Sequence, residues 1–190
     1  MLQTIFLTDF YTLIQIPNKE EVFEACKNVV LSEDQDCTWN ELCTLKVENL
    51  SFHPLDKLLA PSIELSLKNL NVSHLGFEMK SIWKNTYHKG YFQEMHDHCD
   101  GGANSPHLSA VLFLEDHVPN SAQFYFFNTN QVAKNFGIVL EWDMLCKTHY
   151  YLSPKKGDMI MFPSYVFHGV SPHKIKTPRH TISFNLRRSS

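Results

Sequence analysis

From Phe77 onward the chain breaks into short runs rich in β-branched and aromatic residues: Phe77 to Tyr87, Leu108 to Leu114, Gln123 to Phe127, Gly137 to Trp142, Met159 to Phe162 and Thr181 to Leu186. Residues of this kind suit a pleated, half-buried surface. Six short strands with no helices between them point to a sandwich or barrel. The interior has material to fill it, since the sequence carries 14 Phe and 7 Tyr against only 7 Gly, which excludes a disordered or fibrous chain.

The N-terminal third reads differently. Behind Asn18-x-x-Glu21, which resembles a capping box, Val22, Phe23, Cys26, Val29 and Val30 recur at helical spacing and predict a helix from Asn18 to Leu31. A second helical pattern runs from Pro54 to Leu70 through Leu58, Leu59, Ile63, Leu65, Leu67 and Leu70, with Pro61 either opening its regular part or kinking it. A polar connection from Ser32 to Trp39 joins the two. The apolar start, Met1 to Ile16, is interrupted by Asp9 and has neither a basic region nor a small-residue cleavage site. It reads as a first β-strand rather than a signal peptide, and the expected location is the cytoplasm. The C-terminal Arg187-Arg188-Ser189-Ser190 reads as a frayed end.

At 190 residues the chain suits one buried core, so a single domain over 1–190 is expected, with helical support at 18–71 and a β core at 76–187. A formal charge of -3 gives no field that would gather nucleic acid or anionic lipid, and neither partner is expected. The five cysteines, Cys26, Cys37, Cys43, Cys99 and Cys146, form no Cys-x-x-Cys pair and read as free thiols of a reducing compartment.

Spacing gives meaning to some of the eleven histidines. His96, His98 and Asp100 occupy alternate positions, so on an extended backbone their side chains leave one face, and two adjacent members could grip one ion. Far along the chain, the short strand Phe167 to Val170 carries His168 as a third candidate. Two neighbouring ligands and a distant third make a facial triad, which leaves positions on an octahedral metal open, as catalysis requires.

Four segments together resemble the 2-oxoglutarate/Fe(II) oxygenases, especially the bacterial and phage branch related to prolyl 4-hydroxylases. They are Trp83 to Tyr87 with Gly90 and His96-x-His98, then Leu108 to Leu114, Gly157 to Pro163 with His168, and Arg179 to Asn185. The resemblance implies a double-stranded β-helix of jelly-roll, cupin-like form. It also implies Fe(II), 2-oxoglutarate and dioxygen at the site, with ascorbate as an optional reductant. In this family a basic residue shortly after the last histidine pairs with the distal carboxylate of 2-oxoglutarate, and Arg179 stands 11 positions after His168. Its planar fork can give a carboxylate two charge-assisted hydrogen bonds. Thr181 on the same face, and Tyr87 and Asn85 upstream, are the further cosubstrate candidates.

The family usually shows His-x-Asp, whereas counting from Tyr87 and Gly90 leaves His98 at the Asp position. His96, His98 and His168 are therefore favoured, and Asp100 stands as the alternative second ligand. Asp97 or Asp100 could instead accept a hydrogen bond from a ligand imidazole. The resemblance implies a dioxygenase hydroxylating a protein side chain such as proline, or a small molecule, with release of succinate and CO2. Residues around Phe124 to Phe127 and Tyr165 to Phe167 are candidates for lining the substrate pocket, with core packing as their other role. The loop Cys99 to Pro106 is either a lid or a plain turn. The rival readings are a cupin-type metal enzyme that makes no use of 2-oxoglutarate, and a non-catalytic ligand-binding barrel.

Overall fold

The computed structural model describes residues 9–28, 35–37, 45–50, 52–99, 101–102, 105–130, 135 and 147–189. In chain order the elements are β1 (Thr12–Gln15), α1 (Lys19–Asn28), β2 (Gln35–Cys37), β3 (Leu45–Asn49), α2 (Phe52–Asn69), a 3-10 turn (Ser73–Leu75), β4 (Phe77–Tyr87), β5 (Gln93–His96), β6 (Leu108–Phe113), β7 (Phe124–Phe127), β8 (His149–Tyr151), β9 (Asp158–Pro163), β10 (His168–Val170) and β11 (Arg179–Arg188). Seven strands form one sheet in the order β1-β9-β6-β11-β4-β3-β2, and four form another in the order β5-β10-β7-β8. Neighbouring strands pair antiparallel in both. This is the mainly β, jelly-roll arrangement expected, with helices toward the N-terminus.

The larger sheet is covered on both faces, which explains why β6 and β9 are buried along their whole length. Side chains alternate across a strand. In β6, Leu108, Ala110 and Leu112 join Met159, Met161, Ile182 and Phe184 under the helices, against Leu55 and Leu59 of α2 and Val22 of α1. Val111 and Phe113 point the other way, into a second core between the sheets with Phe124, Phe126, Ile160 and Phe162. Each of the larger of these side chains, Val, Leu, Ile, Met or Phe, contributes about 1.5–3 kcal/mol by leaving water. A slip of one residue would exchange the two faces, so register is strongly specified.

β11 uses the same alternation for a different purpose. Ile182, Phe184 and Leu186 enter the core under the helices. The intervening Arg179, Thr181, Ser183 and Asn185 therefore share the opposite face, toward the smaller sheet.

Several local expectations are revised. Asn18 does not complete a capping box: its amide donates to the Leu58 carbonyl of α2 at 2.9 Å, while its Oδ1 is buried without a partner. α2 runs through Pro61, which lies on the exposed side. The region expected to be helical support includes β2 and β3, which extend the larger sheet beyond β4. Arg187 and Arg188 are the last residues of β11, opposite Glu78 and Phe77 of β4, rather than a frayed end. The strand expected at 137–142 lies outside the described residues, as do 1–8, Cys43 and Cys146. Among the described residues, no helix is long and apolar enough to cross a membrane.

Candidate metal and cosubstrate site

His96 closes β5, and His168 opens β10 directly opposite it in the antiparallel pairing. His98 follows just beyond β5, where its backbone N–H donates to the Ser164 carbonyl at 2.9 Å. The three rings converge, with centroids 4.3 Å apart for His96 and His168, 5.0 Å for His98 and His168, and 5.3 Å for His96 and His98. One nitrogen from each lies within 4.8 Å of the others, and among the described residues this is the one such group of three. Asp100 lies outside the described residues.

Each ring is fixed through Nδ1. His96 Nδ1 lies 2.9 Å from the Glu94 carbonyl, and His168 Nδ1 lies 2.9 Å from the Val166 carbonyl. His98 Nδ1 lies 2.7 Å from Asn185 Oδ1. The Glu94 and Val166 carbonyls can only accept, so in His96 and His168 Nδ1 carries the proton and Nε2 presents its lone pair, and Asn185 Oδ1 offers His98 an acceptor for the same arrangement. Asp97, expected among the acceptors for a ligand imidazole, instead receives the Cys99 N–H at 2.8 Å.

The surroundings of His98 and His168 favour neutral imidazoles. Burial, then the neighbouring His96 and His98, hold the His168 pKa well below its usual value. Burial also lowers His98, to about 4, with the Asn185 hydrogen bond opposing the shift. Phe124 lies nearly parallel to His168 at 5.4 Å, Phe162 meets it edge-on at 4.8 Å, and Trp83 lies 5.8 Å from His98.

The cavity beside the histidines is lined by Asn85, Tyr87, Gln93, Phe113, Arg179, Thr181 and Ser183, among others. Arg179, only 4% exposed, has its Nε and Nη2 buried with no hydrogen-bond partner. Burial lowers its pKa, with Tyr87 and Glu115 opposing the shift, and the guanidinium lies 5.4 Å over the Phe113 ring. An unmatched buried cation is costly, and two free N–H groups in a cavity form a ready cradle for a carboxylate.

Tyr87 stands opposite Arg179 in the β4–β11 pairing, and Asn85 opposite Thr181. The Tyr87 hydroxyl donates to Gln93 Oε1 at 3.1 Å, and Gln93 Nε2 lies 3.3 Å from His96 Nε2. The Asn85 amide donates to Thr181 Oγ1 at 3.2 Å and Ser183 Oγ at 2.9 Å, which leaves Asn85 Oδ1 buried without a partner. The chemistry of these side chains fits an iron ion at the three histidines and a carboxylate group at Arg179.

Not every candidate belongs here. Phe126 packs in the core between the sheets, whereas Phe124 does so while also lining the cavity. Tyr165 is 47% exposed. His173, as buried as His168, is structural: its Nδ1 accepts the Ala122 N–H at 2.8 Å, and its Nε2 bonds the Thr177 carbonyl at 2.7 Å. Gln93, Ser109, Ser183 and Asn185 were missed from the sequence. For Ser109, Ser183 and Asn185 the only signal was a polar residue set among apolar ones in a buried strand, and Gln93, in the partly exposed QEMH strand, had none.

No curated protein matches the chain in a sequence comparison. Among solved structures, it is similar to a prolyl-4-hydroxylase of Pseudomonas putida, with a TM-score of 0.68 and 18% identity over 96% of this chain and 95% of that one. It is also similar to HygX of Streptomyces hygroscopicus with nickel and 2-oxoglutarate bound (TM-score 0.62, 13% identity, 94% of this chain and 83% of that one). A third is the viral collagen prolyl hydroxylase of Paramecium bursaria Chlorella virus-1 in its 2OG complex (TM-score 0.58, 14% identity, 95% and 96%). These likenesses establish a shared fold. A family model of 2OG-Fe(II) oxygenases matches residues 81–185, more than half of the chain, and so the chain belongs to the 2OG-Fe(II) oxygenase family.

Proposed function

We propose that this oxygenase holds Fe(II) through the Nε2 atoms of His96, His98 and His168, and that it hydroxylates a protein side chain such as proline, or a small molecule. The observation that carries this reading is the common state of the three rings, each tied at Nδ1 to an acceptor and drawn together within 4.8 Å. When bound, iron and 2-oxoglutarate supply the oxidising chemistry, in which one oxygen atom of O2 enters the substrate C–H bond and the other ends in succinate as CO2 is lost. Ascorbate is an optional reductant.

The chain's own residues bind, orient and shield. Arg179 receives the distal carboxylate with its unpaired Nε and Nη2, and Tyr87, Asn85 and Thr181 flank it on the facing strands. Phe113 and Phe124 exclude water from the cavity wall. The all-histidine set lacks a carboxylate's charge, so it holds a divalent ion less tightly than two histidines and an aspartate would. Residues 1–190 are read as one oxygenase domain in which α2, packed on β1 and β4, supports the larger sheet.

The test is an anaerobic titration with Fe(II) and then 2-oxoglutarate, following the visible charge-transfer band of the chelate. The band is expected in the wild type, absent in His168→Ala and weakened in Arg179→Ala. A well-folded wild type with no band would overturn the reading. A band indifferent to Arg179→Ala would favour a metal enzyme that does not use 2-oxoglutarate. Succinate release in the presence of prolyl peptides or small-molecule libraries then identifies the substrate.

A further inference from the structure

His98 is held from two sides. Its backbone N–H donates to the Ser164 carbonyl, and its ring Nδ1 meets Asn185 Oδ1 at 2.7 Å and Ser109 Oγ at 3.1 Å. Ser109 Oγ donates to Asn185 Oδ1 at 2.9 Å and lies 2.9 Å from Ser164 Oγ. Ser109 and Ser164 are each 1% exposed, and β11 pairs Asn185 directly with Ser109 of β6.

Resting on the metal-site reading above, we infer that Asn185, backed by Ser109 and Ser164, is a positioning residue that fixes His98 as a metal ligand. A carboxylate in His98's place would have no second ring nitrogen to satisfy. An imidazole does, and unless an acceptor holds the proton on Nδ1, the ring can place it on Nε2 and lose its lone pair for the metal. Asn185 Oδ1 is that acceptor. The Ser109 hydroxyl, bonded to the same oxygen, supports the orientation of the amide that turns Oδ1 toward the ring.

The strand parity places this anchor on the same face of β11 as Arg179. One strand thus carries both the cation for the cosubstrate and the support for a metal ligand. Loss of such a support typically weakens metal affinity about 10–100-fold.

The experiment compares the wild type with Asn185→Leu, which removes the shorter acceptor at similar size and leaves only the longer Ser109 contact, and Asn185→Asp, which keeps it. Co(II) affinity is titrated anaerobically, and the tautomer of His98 is read in metal-free protein from long-range proton–nitrogen NMR of the imidazoles. The wild type and N185D are expected to show the proton on Nδ1 and to bind Co(II), with N185L mixed in tautomer and about 10–100-fold weaker. A wild-type His98 protonated on Nε2, or N185L binding within about twofold of the wild type, overturns the inference alone. Should N185L fail to fold, N185D still decides, because its loss of binding also overturns it. No Co(II) binding by the wild type overturns the metal-site reading, and the inference with it.

Discussion

His168 and His96 are register partners across β10 and β5, so the two rings meet through backbone hydrogen bonding between neighbouring strands rather than through flexible loops. Their centroids lie 4.3 Å apart, the closest pair of the three. A site built on paired strands is organised before any ion arrives, because the ladder has already restricted the backbone.

Metal binding should therefore appear as added stability. An ion that binds only the folded chain contributes about 2.7 kcal/mol at a hundredfold excess over Kd, which for a chain of this size raises Tm by about 5–10 °C. Thermal unfolding with Co(II) or anaerobic Fe(II), then with chelator, should show the rise and its reversal. His168→Ala should fold and show no rise. A rise that persists in His168→Ala would place the ion elsewhere.

Arg179 governs the cosubstrate in the proposed site. Truncating one partner of a buried, hydrogen-bonded charge pair costs about 2–5 kcal/mol, so Arg179→Ala should raise the KM for 2-oxoglutarate by about 30-fold or more. Arg179→Lys keeps the charge but loses the planar fork, and should fall between the two. Steady-state assays of 2-oxoglutarate turnover measure this, while metal affinity should stay near that of the wild type. An unchanged KM in Arg179→Ala would remove Arg179 from the site.

How legible each feature was in the sequence follows from its range of interaction. β4, predicted from Phe77 to Tyr87, matches its observed span, and the apolar runs of β6 and β9 and the alternation of β11 are long enough to be recognised. β3 was absorbed into a helical region because five residues, LKVEN, give a period of two little room to show, and their burial depends on pairing with β4. The histidines converge from spacing that the sequence displays. Asn185 and Ser109 could not be assigned this way. Each looks like an ordinary polar strand residue until β11 and β6 are paired and His98 folds back over Ser164.

The packing beside His168 is sensitive to a single methyl group. A Cβ at Gly169 would lie 2.5 Å from Tyr125 Oη, 2.7 Å from Tyr125 Cζ and 3.0 Å from the Gln93 carbonyl. The Tyr125 ring can swing aside, but the Gln93 carbonyl belongs to the β5 backbone next to the proposed ligands. Gly169→Ala should cost about 1–3 kcal/mol by overpacking, seen as a Tm lower by about 2–12 °C. It should also weaken metal binding by pushing β10 away from β5. A variant with wild-type Tm and wild-type metal affinity would show that the two strands have slack that the structure does not suggest.

Phe184 separates fold stability from site chemistry. It is fully buried under the helices, between Ser183 and Asn185, whose side chains take the opposite face of β11. Phe184→Ala should cost about 3–5 kcal/mol through lost burial and the cavity left behind. The backbone pairing of β11 with β4 and β6 still holds Arg179 and Asn185 in place. At low temperature the variant should then keep its metal affinity and its KM for 2-oxoglutarate while unfolding at a much lower denaturant concentration. If metal affinity falls in proportion to stability, the site and the core beneath it are one cooperative unit, and the separation of the two faces of β11 is structural but not energetic.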